Sequence, residues 1–110
     1  MNIEVEKKRF GELLMTVDLV DWRTAVYLPV DIARWSTEIE ALIANPDFFD
    51  EYDLDDNPEY MTSIGYKEIL LSDDIAGVFK NAKSRFDVVD EDVMFKAFLF
   101  YYENDAYIPD

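Results

Sequence analysis

The sequence predicts an α+β fold, a small and mostly antiparallel sheet packed against about three helices in a single compact domain. Three observations carry this. Apolar residues recur at helical spacing in three stretches. The runs that read as strands are few and short. The helices collect late in the chain. With 110 residues, no internal repeat and no Pro- or Gly-rich linker, residues 1–110 read as one domain.

The elements follow in order. Phe10, Leu13, Leu14 and Val17 fall at i, i+3, i+4 and i+7, which predicts an amphipathic helix near residues 4–19. Lys7, Lys8 and Arg9 sit unfavourably near its positive end. Thr24 to Leu28 reads as a strand stopped by Pro29. Residues 36–44 have two readings. Thr37 and Glu40 fit a capping box ahead of Ile39, Leu42 and Ile43, while Ile39, Ala41 and Ile43 alternate as a strand does. Residues 46–60, with Pro46, Pro58 and many Asp, read as a long surface loop, a feature often functional.

Gly65 opens a strand from Tyr66 to Leu71. Ser72, Asp73 or Asp74 is expected to cap a helix to about Arg85, with Ile75, Val78, Phe79, Ala82 and Phe86 as its apolar face. Asp90 is expected to cap a last helix through about Glu103, with Glu91 and Asp92 in its first turn. Asn104-Asp105 would stop it, and Ala106-Tyr107-Ile108 would form a short terminal strand. The aromatic stretch from Phe98 onward fits a helix packed between a sheet and another element. An exposed patch for a partner is the alternative.

Composition narrows the function. Half of the residues are apolar, enough for a core, while 25 Asp and Glu face 10 Lys and Arg for a net charge of −15. Such a surface repels phosphate backbones and anionic membranes and attracts a basic protein. An acidic surface that merely solubilises the chain is the bland alternative. No Cys and no His are present. That removes thiolate and imidazole chemistry, and with it the usual general base and the usual transition-metal ligands. No cofactor is expected. The opening MNIEVEKKRF lacks the apolar region of a secretory signal, and no apolar run is long enough for a membrane span. The expected location is the cytoplasm, and high like charge favours a monomer.

From Trp35 to Tyr66 there is no Lys or Arg. Within it, PDFFDEYDLDDNPEY sets aromatics among acids. Aromatics give anchoring area at interfaces, and carboxylates accept hydrogen bonds from Lys and Arg. Asp47, Phe49, Asp50, Glu51, Tyr52, Asp53, Asp55, Asp56 and Glu59 are therefore the predicted partner-binding residues. The competing reading makes Phe48, Phe49 and Tyr52 core and the acids their solvated rim, with at least one of these aromatics expected inside.

Two chemical readings of the loop are weaker. Asp53, Asp55 and Asn57 match positions 1, 3 and 5 of an EF-hand, but Pro58 stands where Gly is needed and Ile64 where the bidentate Glu is needed. Paired-carboxylate catalysis has no specificity among so many acids. With three glycines, no phosphate loop or nucleophile elbow is present, so an enzyme is not expected.

Ala25-Val26-Tyr27-Leu28-Pro29, the later Trp35 and the closing Phe100-Tyr101-Tyr102-Glu103-Asn104-Asp105-Ala106-Tyr107-Ile108 resemble the small immunity proteins of bacterial contact-dependent growth inhibition systems. The resemblance implies that the chain binds and neutralises a cognate toxin domain. Many such toxins look like nucleases, including enzymes that cut tRNA. It implies occlusion of a basic active site, transfers no catalytic residues and names no contact residues. A nucleic-acid mimic or acidic adaptor for a basic housekeeping protein is the alternative.

Overall fold

The computed structural model describes residues 5–49, 51–52, 54 and 58–107. Four strands, β1 (Glu6–Arg9), β2 (Ala25–Pro29), β3 (Glu40–Ala44) and β4 (Tyr66–Leu71), form one antiparallel sheet in the order β1-β3-β2-β4. The helices are α1 (Phe10–Thr16), α2 (Glu59–Ser63), α3 (Ser72–Arg85) and α4 (Glu91–Asn104). The α+β class and the compact single globule stand as expected.

Strand β2 lies inside the sheet and is buried along its whole length. This accounts for its unbroken apolar run AVYLP, since a strand covered on both faces has no polar side to show. Val26, Leu28, Ala41 and Ile43 point to one face, where α1, the turn after it and α3 supply Phe10, Leu13, Leu14, Val17, Ile75, Val78 and Phe79. Helix α4 packs against α1 and α3. Its Phe98 ring meets Phe10 edge-on at 4.9 Å and lies 5.9 Å from Trp35, whose indole N–H donates to the Pro29 carbonyl at 2.7 Å.

The first predicted helix is corrected. Residues 6–9 are an edge strand, and the helix begins only at Phe10, with a 3-10 turn over Val17–Leu19 after it. The apolar stripe is retained. The basic run that sat badly at a helix N-terminus instead pairs with β3, where its charges guard a sheet edge. Arg9 then bridges back to α4. Its guanidinium donates to both carboxylate oxygens of Glu91, at 2.5 and 2.6 Å, and to Glu38 at 3.3 Å. A Cβ on Gly11 would overlap the Glu91 carboxylate as it pairs with Arg9, so this pair needs glycine beside it.

The ambiguous residues 36–44 resolve as strand from Glu40. Helix α4 begins as expected, with the Asp90 carboxylate accepting from the Val93 N–H at 2.9 Å, and ends at Asp105 in the left-handed region. Helix α3 has no side-chain cap, because Ser72 is buried and its hydroxyl bonds that of Thr24 at 2.7 Å. Phe86 is half-exposed at the end of α3, outside the core. Ala106 and Tyr107 form no strand, and Ile108 lies outside the described residues. Instead Tyr107 packs on Tyr101 at 5.4 Å and lays its hydroxyl over Gly77 of α3. Among the described residues no helix is long and apolar enough to cross a membrane.

The opposite face of the sheet carries a second, smaller core of Ala25, Tyr27, Leu42 and Ala44, closed by Phe49 and Met61. The predicted surface loop is therefore a cover. It contains a 3-10 turn over Pro46–Phe48 and leads into the short helix α2, with Phe49 after the one and Met61 in the other buried against the sheet.

Candidate functional site

The acidic segment is fixed to this second face by its own local chemistry. Asn45 opens it, with its side-chain oxygen accepting from the Asp47 N–H at 2.9 Å, an Asx turn that Pro46 preorganises. Phe49 then turns inward. It is 6% exposed, meets Tyr27 edge-on at 6.4 Å and stacks on Tyr60 of α2 at 6.4 Å. Further along, the Tyr52 hydroxyl donates to the Pro46 carbonyl. Tyr52 bridges Pro58, and the Glu59 N–H donates to the Glu51 carbonyl at 2.9 Å. The chain on either side of residues 53–57 is thus drawn together, and Leu54 between them is fully exposed.

Among the predicted site residues, Asp47, Glu51, Tyr52 and Glu59 lie exposed along this cover. Phe49 does not offer its ring to a partner, because it is the plug that holds the cover down. Asp50, Asp53, Asp55 and Asp56 lie outside the described residues, and of Phe48 only the backbone is described.

The structure adds two residues that the sequence reading did not select. Tyr27 and Glu68 are direct neighbours across the β2–β4 ladder. A bulge sets this register, since β4 steps from Leu70 to Glu68 where β2 steps from Val26 to Tyr27. Ile69 and Leu70 consequently both meet the helix-side core, and Glu68 shares a face with Tyr27. The Tyr27 side chain is fully buried, and its hydroxyl has no hydrogen-bond partner among the described residues. Burial holds this phenol well above the usual tyrosine range, reinforced by the charges of Glu68 and Asp47 and by Tyr52. Desolvation also pushes the Glu68 carboxyl up. The alternation of Tyr27 with Val26 and Leu28 was a visible sign that Tyr27 faces away from the main core. That an acidic segment would close over it was not visible.

Chemically, this cluster offers carboxylates and a neutral phenol. Among the described residues no group of three or more acids is placed to hold a metal ion. A different surface lies on the turn after α1, where Leu19 and Trp22 are 83% and 69% exposed beside a groove of about 420 Å³. Its Asp21 is already bound by Arg23, with Oδ2 2.8 Å from the guanidinium, and is held down to about 2. The charges there are mixed, whereas those around Tyr27 share one sign.

No curated protein and no solved structure matches the chain. One family model does, over residues 7–109, and on that match the chain belongs to the family described as Domain of unknown function (DUF7716).

Proposed function

We propose that this chain is an immunity-type inhibitor, a bacterial cytoplasmic protein that binds and neutralises the toxin domain of a contact-dependent growth inhibition system. The toxin that suits it is a basic nuclease, of the kind that cuts tRNA. Carboxylates of the inhibitor take the places of RNA phosphates, and the bulk of the cover blocks entry to the active site. The chain acts as a monomer and needs no catalytic residue, cofactor or metal for this. Nucleic acids and membranes are not its partners, given its charge of −15.

One observation supports this reading above the rest. The Lys- and Arg-free acidic stretch is anchored to a sheet face by Phe49 and closed on itself at Tyr52 and Pro58. An acidic tail kept only for solubility has no need of such anchoring. A held surface loses less conformational freedom on binding than a free one, so more of its contact energy appears as affinity. The likeness of the β2 end, Trp35 and the aromatic C-terminal stretch to immunity proteins supports the same reading.

The test is co-expression with the toxin domain encoded next to its gene. The expected result is a stable complex and protection of the cells. Absence of both would overturn the reading. A dominant basic housekeeping protein captured from cells without the toxin would favour the adaptor instead.

A further inference from the structure

We propose that the groove between the Leu19–Trp22 turn and α3 is a second docking site, which takes a segment of a partner protein carrying an apolar side chain beside a lysine or arginine. It lies on the helix side of the sheet, across from the acidic cover, and stands apart from the reading of that cover.

Two exposed apolar side chains are held in place here. Leu19 and Trp22 lie largely in solvent, and their turn is locked. The Asp21 carboxylate accepts from the Arg23 N–H at 2.9 Å and from its guanidinium at 2.8 Å. The Asp21 carbonyl accepts from the Thr24 N–H at 3.0 Å and the Thr24 hydroxyl at 2.7 Å. The Ser72 N–H donates to the Thr24 carbonyl at 2.9 Å, which fixes the turn against the start of α3. A tryptophan on so well tied a turn loses little freedom on binding, and tryptophan is enriched among the anchors of protein interfaces.

Between the turn and α3 runs an open groove of about 460 Å³. Val17, Val20 and Ala76 are its less exposed apolar lining, and Leu19 and Trp22 stand above them. An apolar side chain laid there removes apolar surface from water on both partners. Charge then selects the segment. Asp18, Asp21, Asp73 and Lys80 also line the groove. Asp21 is taken by Arg23. Asp18 and Asp73 have no ion-pair partner among the described residues. Lys80 stands two turns along α3 from Asp73, roughly 10 Å away, too far to neutralise it. A second copy of this chain brings a further −15 and is repelled, as is any acidic segment. A purely apolar segment leaves both carboxylates unmatched. A cation beside an apolar residue meets both features, with its N–H groups at the rim and its neighbour in the groove.

The experiment titrates the full chain, nitrogen-labelled for magnetic resonance, with acetyl-Lys-Leu-Leu-Lys-amide. The Glu-Leu-Leu-Glu and Lys-Ser-Ser-Lys counterparts are run beside it. The Trp22 indole signal is assigned by its loss in Trp22→Phe. Saturable movement of that signal and of the Ala76 and Lys80 amides is expected with the Lys-Leu-Leu-Lys peptide, and little with the other two. Affinity, followed on the Ala76 amide, should weaken about fivefold in the Leu19→Ser, Trp22→Ser double variant. Both altered side chains are exposed, and an unchanged urea midpoint will show that the fold is intact. In the Asp18→Asn, Asp73→Asn double variant the preference for the lysine peptide over the glutamate peptide should shrink several-fold. No saturable movement, an equal response to Lys-Ser-Ser-Lys, movement confined to Glu51 and Glu59 on the acidic cover, or full affinity in the Leu19→Ser, Trp22→Ser variant would each overturn the inference.

Discussion

At the scale of single residues, burial disfavours the ionised forms of both Tyr27 and Glu68. The Tyr27 hydroxyl has given up water without gaining a partner. Removing it should therefore stabilise the fold: Tyr27→Phe is expected to gain about 1 kcal/mol in urea unfolding. Glu68 has a raised carboxyl value, caused by desolvation. A raised acid favours the fold below its unfolded value and loses that contribution as pH rises through the folded value. Glu68→Gln should consequently be more stable than the natural chain at pH 7 and equal to it well below the ordinary glutamate range, as urea midpoints at the two pH values will show. Gly65 sits at φ 80°, where a side chain is strained whatever the free space, so Gly65→Ala should cost about 1–2 kcal/mol. The glycine that opens β4 and the Asp90 cap were legible in the sequence because both depend on nearest neighbours. Tyr27 was legible only as a strand residue. Its neighbour Glu68 lies far away in the chain, opposite it through a bulge that no local pattern announces.

At the scale of elements, the acidic cover depends on one aromatic. Phe49 closes the second core with Met61 and meets Tyr27 edge-on. Phe49→Ala should cost about 3 kcal/mol by leaving a cavity, and it should weaken partner binding beyond the loss of any contact of its own. Native-state hydrogen exchange at Glu59, whose N–H bonds the Glu51 carbonyl, will report whether the cover has loosened. The sequence showed that acids and aromatics alternate here, and that at least one aromatic belonged inside. Which one goes inside follows from the depth of the Asx turn and the position of Tyr27, and these are tertiary facts. The same limit explains the misread start. Phe10, Leu13, Leu14 and Val17 mark a helix correctly, but nothing local separates a basic first helical turn from a basic edge strand. The competitor that wins is pairing with β3, with Arg9 tied to Glu91. That carboxyl is held low by its hydrogen bonds to Arg9. Its contribution to stability is present above the unfolded glutamate value and lost as pH falls through the folded one, opposite in sign to Glu68.

At the scale of the whole molecule, charge governs behaviour in solution and encounter. With a net charge of −15, the folded chain repels itself, and added salt screens this. The urea midpoint is expected to rise between about 0.02 and about 0.5 M salt, over which the screening length falls from roughly 20 Å to about 4 Å. Net charge and the Lys- and Arg-free stretch are read directly from the sequence. That Phe49 and Met61 of this stretch close over a sheet face comes from the fold. The central claim is that this anchored acidic face meets a basic toxin, and association kinetics test it most directly. The chain and the toxin domain encoded beside it should be mixed in stopped flow at low and physiological salt. The comparison is a variant in which Asp50, Glu51, Asp53, Asp55 and Asp56 are all replaced by Lys. The association rate of the natural chain should fall steeply with salt, and the variant should be at least tenfold slower with a much shallower salt dependence. Equal rates and equal salt dependence in the two proteins would contradict it.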